Sequence, residues 1–188
     1  MDQRWQVKRS TNVLKDRWID VRADDCVNAA GVEISPYYVL SYPDWVHVVA
    51  VTGDDRLVLV RQYRHAAGIL SLELPGGAVD PEDKGLEQAA RRELEEETGY
   101  TAPYWEHITT LHPNTATHTN RLHVFLALDA TLTGPPDLDP AEAGLAVELH
   151  AIASVVDGLR SGLMSQATHV SGLLLALAAA GRLDLTVR

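Results

Sequence analysis

Four glutamates occupy five positions of a segment that follows two adjacent glycines. The segment from Pro75 to Tyr100 reads PGGAVDPEDKGLEQAARRELEEETGY. On a helix that advances about 100° per residue, three of these acids share one face, namely Glu93, Glu96 and Glu97. Leu94 flanks this face, so part of the face adjoins the core. Like charges three or four positions apart repel each other, and burial increases the repulsion. The pattern therefore predicts a cation beside the helix.

The chemistry of that cation follows from its oxygen ligands. Hard divalent cations such as Mg²⁺ bind carboxylates together with waters and substrate phosphates, so the pattern indicates a phosphate-bearing substrate bound through metal. A solvated helix face, with the acids paired to Arg91 and Arg92, is the alternative. The metal site is favoured because Ala90 is small enough for another backbone to approach. The carbonyls of Gly76 and Gly77 can point at the same place.

Bulk composition narrows the function classes. The 188 residues, 46% of them hydrophobic, are enough for one well-filled core with a small appendage. A net charge of -10 opposes non-specific binding to nucleic acid or to an anionic membrane. The single cysteine, Cys26, excludes an internal disulfide and favours a reducing compartment, the cytoplasm. Residues 1–10 lack the apolar core of a signal peptide, and Leu173–Ala180 is too short to span a bilayer.

The remaining elements place the glutamate helix within a mixed sheet. Residues 1–43 contain short β-like runs around a turn at Asn28–Gly31, so we expect a small N-terminal antiparallel β-subdomain there. Residues 44–188 form the second predicted domain, in which helices pack on a mixed sheet because strands and helices do not alternate regularly. The expected strands are Trp18–Arg22, Tyr37–Tyr42, Trp45–Val51, Arg56–Tyr63, Ile69–Leu74, Trp105–Leu111, Leu122–Leu128 and Leu145–His150, and the expected helices are Gly85–Thr98, Ala153–Ser161 and Thr168–Ala180.

Residues Gly77 to Tyr100 resemble the Nudix box of the Nudix hydrolases, G-x5-E-x7-R-E-U-x-E-E-x-G-U, with U a bulky apolar residue. The second half matches without a gap from Arg92 to Tyr100. The first half is one residue longer, so the family's first glutamate corresponds to Glu82 or Asp83. The segments DWVHVVAV, LVLVRQYRH, LELPGG, RLHVFLA and VVDGLRSGLMSQATHVSGLLLA are similar to the ADP-ribose pyrophosphatase-like branch, over most of the chain from about Arg17 onward.

This resemblance implies a fold and an activity. The fold is the Nudix-type α/β/α sandwich with a mixed sheet, and the front β-subdomain is often used for dimerisation, so a homodimer is expected. The implied metal is Mg²⁺ or Mn²⁺, held by Glu93, Glu96 and Glu97 with the carbonyl of Gly76. Arg92 is expected to tie the helix to the glycine loop.

Further roles are expected outside the box. The branch often supplies a general base from a later loop, where Glu142 is our candidate and Asp139 the second; an exposed acid without a role is the alternative. Arg64 is expected to bind the diphosphate or the terminal ribose, unless it is a plain surface arginine. Glu73 is expected to contact ribose or an arginine. Trp18 offers a stacking platform for the base, or else belongs to the core or an interface.

The leading hypothesis is a metal-dependent hydrolase that cleaves a nucleoside diphosphate sugar such as ADP-ribose into a nucleoside monophosphate and a sugar phosphate. The alternatives are a pyrophosphatase for a GDP-sugar or dinucleoside polyphosphate, and a nucleotide-sugar sensor without turnover. The sequence contains no appended basic module of the kind a DNA-binding regulator needs. A zinc site is disfavoured because the clustered histidines lack i, i+4 partners; they are His107, His112, His118 and His123.

Overall fold

The structure is a computed structural model that describes residues 2–184. The elements in chain order are β1 (Gln6–Lys15), β2 (Asp20–Val27), β3 (Glu33–Ser41), β4 (Trp45–Thr52), β5 (Arg56–Arg64), β6 (Ile69–Glu73), α1 (Leu86–Thr98), β7 (Tyr100–Thr101), β8 (Tyr104–Leu111), β9 (Leu122–Leu132), a 3₁₀ turn (Pro140–Glu142), β10 (Ala146–Ala151), α2 (Ile152–Leu159) and α3 (Ala167–Ala179). Among these described residues, no helix combines the length and the apolar character needed to cross a bilayer.

The chain divides into two compact units. One unit contains the residues up to Pro43 together with His112–Arg121, and the other contains Asp44–Leu111 and the described residues from Leu122 onward. Residues 112–120, HPNTATHTN, are mostly polar and lie between β8 and β9. The structure joins this segment to the N-terminal unit, because the N–H of Leu40 donates to the carbonyl of Thr117 over 2.7 Å.

The N-terminal unit is a three-stranded antiparallel sheet in the order β1-β2-β3. The predicted turn at Asn28 is confirmed, since its Oδ1 accepts the N–H groups of Ala30 and Val32 at 2.9 and 3.0 Å. Strand β1 was not predicted from the sequence, because its residues are all exposed and therefore show no apolar face. The prediction for Trp18–Arg22 was wrong in extent, because β2 begins at Asp20 and continues to Val27.

The second unit is built on a seven-stranded mixed sheet. Its main order is β10-β5-β4-β9-β7, with β6 paired to β5 and β8 paired to β9. The central pair, β4 and β9, is parallel and sets Val48 opposite Phe125. Strands β4 and β5 are antiparallel and are joined by a turn at TGDD.

Successive residues of the central strands face opposite layers, as the period of two in a strand requires. Val48 and Ala50 of β4 belong to the cluster that contains Leu94 of α1. Val49 and Val51 belong to a second cluster, which includes residues of α2 and α3. The sheet thus has helices on both faces, which confirms the expected α/β/α sandwich.

Helix α1 ends at a glycine that its surroundings require. Gly99 has φ 71°, and its N–H donates to the carbonyl of Glu95 over 2.7 Å. A Cβ at this position would lie 2.0 Å from the carbonyl oxygen of Gly134. The sharp end of the helix therefore depends on both the left-handed backbone and the absence of a side chain.

Candidate active site

The double glycine runs alongside β4 and continues its hydrogen bonding. The N–H groups of Val48 and Val46 donate to the carbonyls of Pro75 and Gly77, each over 2.9 Å. Gly76 lies between these two bonds with φ 152°, and a Cβ there would be 2.1 Å from the carbonyl oxygen of Val46. Only glycine fits this bend, because any side chain would collide with the backbone of β4.

Two carboxylates of α1 meet this bend from the helix side. Glu97 Oε2 accepts the N–H of Gly76 over 2.8 Å. The carboxylate of Glu93 lies against Gly77, where an added Cβ would be 2.7 Å from its Oε2. Both side chains are buried, with residue exposures of 7% for Glu93 and 2% for Glu97. Among the described residues, no hydrogen bond uses the carbonyl of Gly76.

Arg92 links the helix to the loop that precedes it. Its Nη2 donates to the carbonyl of Ala78 over 3.0 Å, and its Nε and Nη2 contact the carboxylate of Asp83 at 3.2 and 3.1 Å. Glu82, the other candidate for the first acid of the box, is exposed. The extra residue of the loop is thus accommodated with Asp83 as the acid that holds Arg92.

Glu96 does not join the other two acids. Arg92 Nη1 contacts both Glu93 Oε1, at 3.0 Å, and Glu96 Oε2, at 2.8 Å, so the guanidinium separates the two carboxylates. Glu96 borders a second cavity of about 400 Å³, whose wall also includes Arg92. Across residues 2–184, no three His, Cys, Asp or Glu side chains are gathered closely enough to hold a metal ion as they stand.

A cavity of about 510 Å³ opens beside the glycine bend. Its wall includes Glu97, Arg64 and Glu142, which the sequence proposed separately as metal ligand, substrate contact and base. Glu142 comes from the 3₁₀ turn, where its Oε2 accepts the N–H of Asp139 over 3.3 Å. Asp139 caps this turn and does not line the cavity, whereas Glu142 does.

Glu73 is enclosed and does not line the cavity. It has 0% exposure, and both of its carboxylate oxygens accept from Arg64, whose Nε lies 3.0 and 3.1 Å from them. The expected contact between Glu73 and an arginine is therefore present. A contact between Glu73 and ribose is not available in this arrangement, because the carboxylate is covered.

Burial dominates the electrostatics of the two helix acids. Burial raises the pKa of Glu97 to about 8, and the N–H of Gly76 only partly offsets the rise. Burial likewise raises the pKa of Glu93 to about 7, although Arg92 opposes the shift. The negative charge of Glu142 adds to both increases. Near neutral pH these carboxylates are therefore only partly ionised in the absence of a cation.

The donor set fits a hard divalent cation. Two buried carboxylates and an unused backbone carbonyl converge on the bend, and all of these ligand atoms are oxygens. A divalent cation favours the ionised form of both acids and so removes the cost of burying them together. The fit involves Glu93, Glu97 and Gly76, while Glu96 is held by Arg92.

Two cavity residues were not found from the sequence. His47 lies in the middle of β4, and His169 lies in the first turns of α3; both rings are buried and line the cavity. A histidine inside the apolar run WVHVVAV is the signal that could have drawn attention to His47. Trp18 belongs to the N-terminal unit, where the residue is 71% exposed and the guanidinium of Arg17 lies 4.3 Å from the centroid of its ring.

Comparison with known families agrees with this geometry. Residues 42–163 match the model of the NUDIX domain. The chain belongs to the Nudix family. Residues 5–40 also match the model of the nucleoside diphosphate sugar hydrolase N-terminal domain. The resemblance drawn from the Nudix box is thereby confirmed.

Several relatives of this Nudix protein are known. An ADP-ribose pyrophosphatase of Bacillus subtilis is 32% identical over 115 residues, and the match spans 61% of each chain. A CMP-5'-(N-acetyl-N-hydroxy-3-aminopropyl)phosphonate hydrolase of Streptomyces rubellomurinus is 29% identical over 179 residues, 95% of this chain and 84% of the relative. The crystal structure of an ADP compounds hydrolase superposes with a TM-score of 0.83 at 24% identity, covering 96% and 98% of the two chains, and so shares the fold.

Proposed function

We propose that this Nudix protein hydrolyses the diphosphate linkage of a nucleoside diphosphate sugar such as ADP-ribose, giving a nucleoside monophosphate and a sugar phosphate. The observation that carries the proposal is the shared cavity of Glu97, Arg64 and Glu142 beside the glycine bend. Its volume of about 510 Å³ is within the usual range for a small-molecule site. The names of the Bacillus subtilis relative and of the N-terminal domain model support the same substrate class.

The proposed cofactor is Mg²⁺ or Mn²⁺. Glu93, Glu97 and the carbonyl of Gly76 would hold it, and Glu96 would join them once Arg92 released its carboxylate. When bound, such an ion neutralises charge on the diphosphate and favours attack by water on phosphorus. Arg92 keeps the glycine loop attached to α1, so the loop carbonyl and the acids of the helix keep their relative positions.

The other proposed roles belong to side chains of the cavity wall. Glu142 accepts a proton from the attacking water, since a carboxylate on a surface turn can approach the substrate from the open side. Arg64 provides charge-assisted hydrogen bonds to the diphosphate. Glu73 acts through Arg64 rather than on the sugar. Trp18, whose exposed ring is suited to stacking, is proposed as the platform for the base.

We further propose a cytoplasmic homodimer that uses the N-terminal sheet. Every residue of β1 is exposed, and the apolar side chains of Val7, Val13 and Leu14 are among them. A second copy that covers this strand would remove the apolar area from water. Light scattering after size exclusion tests the dimer, and a Val13→Asp change should shift it toward a monomer. A monomer in the unchanged protein would contradict the proposal.

Substrate turnover tests the main proposal. The protein is incubated with Mg²⁺ and a panel containing ADP-ribose, a GDP-sugar, a CDP-linked compound and a dinucleoside polyphosphate, and the released monophosphate is measured. We expect ADP-ribose or another nucleoside diphosphate sugar to be cleaved fastest. The CDP-linked compound is included because the Streptomyces rubellomurinus relative acts on a CMP conjugate. Tight binding of one member without any turnover would instead identify a sensor.

A further inference from the structure

One ring nitrogen of His169 is hydrogen-bonded to the backbone that leads into the glycine bend. Its Nδ1 accepts the N–H of Leu74 over 3.1 Å, and the ring is 2% exposed. A neutral imidazole has one donor nitrogen and one acceptor nitrogen, so an accepting Nδ1 leaves the proton on Nε2. Burial lowers the pKa of His169 to about 3, which keeps the ring neutral. Leu74 therefore fixes the tautomer of this histidine.

The protonated nitrogen of His169 lies near a carboxylate that has no access to solvent. His169 Nε2 lies 3.5 Å from Glu73 Oε2. The same oxygen also accepts from the guanidinium of Arg64. Glu73 thus has a cation and a neutral N–H group beside the same carboxylate oxygen.

Arg64 connects the carboxylate of Glu73 to the cavity. Its Nε and Nη2 are engaged by Glu73, whereas its Nη1 makes no hydrogen bond or ion pair with a described residue. The side chain is 45% exposed and borders the cavity, so the guanidinium has donors left for an anionic ligand. A guanidinium held in one plane by a carboxylate is preorganised for a second planar or bidentate contact.

The plane of the His169 ring is fixed by a second histidine. The rings of His47 and His169 are stacked with their centroids 3.9 Å apart and an interplanar angle of 17°. His47 comes from β4, the strand that also pairs with the glycine bend. Stacking therefore fixes the ring plane, while the bond from Leu74 fixes the nitrogen that faces Glu73.

We infer that His169 is a positioning residue, which fixes the Glu73 carboxylate through Nε2–H so that Glu73 holds the Arg64 guanidinium in place for the diphosphate of the substrate. This inference rests on the proposed function for the identity of the ligand. The contacts that run from α3 through β6 to β5 are independent of the proposed function, because they can be measured without substrate.

Three substitutions of His169 separate its contacts. His169→Asn retains an acceptor for Leu74 but is too short to reach Glu73. His169→Phe retains a stacking ring but loses both polar contacts. His169→Gln retains a donor that can reach Glu73 and loses the ring. His150→Gln is the matched control, since His150 is a partly buried histidine that contacts Glu148 and does not line the cavity.

The first readout is the rate at which the Arg64 Nε–H exchanges with water. This rate is measured by NMR on the full chain labelled with ¹⁵N-arginine. The Arg64 signal is assigned as the one that is missing in Arg64→Lys. We expect exchange at least about tenfold faster in His169→Asn and His169→Phe, and little change in His169→Gln and in the control. If His169→Phe does not fold, the Asn and Gln variants still give the decision. Unchanged exchange in His169→Asn, or faster exchange in Gln but not in Phe, overturns the inference.

The second readout is catalytic and separates the inference from the proposed function. With the best substrate of the panel, His169→Asn should raise KM about tenfold with kcat changed much less, and the increase should nearly vanish when Arg64 is already replaced by Ala. Additive effects on KM would show that His169 acts independently of Arg64. If no substrate is cleaved by the unchanged protein, the proposed function fails while the NMR result still decides on the positioning role.

Discussion

Replacing Glu97 with Gln should abolish most turnover and at the same time stabilise the metal-free protein at alkaline pH. Gln has nearly the same shape, and its amide oxygen can still accept the N–H of Gly76 in place of the carboxylate. The variant therefore keeps the packing of α1 against the bend. It loses the negative charge that a divalent cation requires, so we expect kcat to fall on the order of 10²–10³-fold.

The stability change follows from the pKa of Glu97. The pKa is about 8 in the folded protein and 4.5 in its ordinary state, so the folded state binds this proton more tightly. The stabilisation is fully present below pH 4.5 and is lost as the pH rises through 8. At 1.36 kcal/mol per pKa unit, the free energy of unfolding should fall by roughly 3 kcal/mol between about pH 5 and pH 8.

Glu97→Gln removes this loss because the amide does not titrate. Without metal and near pH 8, the variant should therefore melt about 10 °C above the unchanged protein, taking 2–4 °C per kcal/mol for a chain of this size. Near pH 5 the two melting temperatures should nearly coincide. Added Mg²⁺ should raise the melting temperature of the unchanged protein and have much less effect on the variant, since ligands stabilise only the state that binds them.

The assay is a thermal melt followed by circular dichroism in the presence of a chelator, at several pH values and then with Mg²⁺. Glu95→Gln is the matched control, because Glu95 lies on the same helix with its side chain exposed. A melting temperature for Glu97→Gln that falls between pH 5 and pH 8 as steeply as that of the unchanged protein would refute the argument from burial. Full activity of the variant would refute the metal site itself.

Four further substitutions test other parts of the structure. Arg64→Ala should raise KM about 10- to 100-fold, as expected for a lost charge-assisted hydrogen bond, and an unchanged KM in steady-state kinetics would exclude a contact with substrate. Glu142→Gln should lower kcat on the order of 10²-fold with little effect on KM, whereas Asp139→Asn should change neither, and the reverse pattern would reassign the base. Gly99→Ala should lower the free energy of unfolding by about 2 kcal/mol or more, since the added Cβ would lie 2.0 Å from the carbonyl oxygen of Gly134. An unchanged midpoint of urea unfolding would contradict this prediction.

The central sheet was predictable from the sequence because its strands carry a local signal. β-branched runs mark β4 and β5, and both strands appear close to their expected limits. Strand β1 has no such signal. Its residues are exposed on every side, and it is a strand because it pairs along β2, with Val7 opposite Cys26. A strand defined only by its partner cannot be identified from its own composition.

The site was predictable in its helix positions but not in its side-chain directions. A helical wheel places Glu93, Glu96 and Glu97 on one arc, yet the wheel does not determine where each carboxylate points. Arg92 binds Glu96 at the i, i+4 spacing, so the Glu96 carboxylate is held by the guanidinium. The contact of His169 with Leu74 joins residues far apart in sequence, so no local pattern could have indicated it.

The parallel pairing of β4 with β9 also determines when the protein can fold during synthesis. Val48 emerges from the ribosome long before its neighbour Phe125. Until that neighbour is made, β4 presents an apolar edge to which other chains can attach. Contacts so distant in sequence also slow folding. Nascent chains that stop short of β9 should therefore be a major source of aggregates, and a chaperone that shields β4 would raise the yield of folded protein.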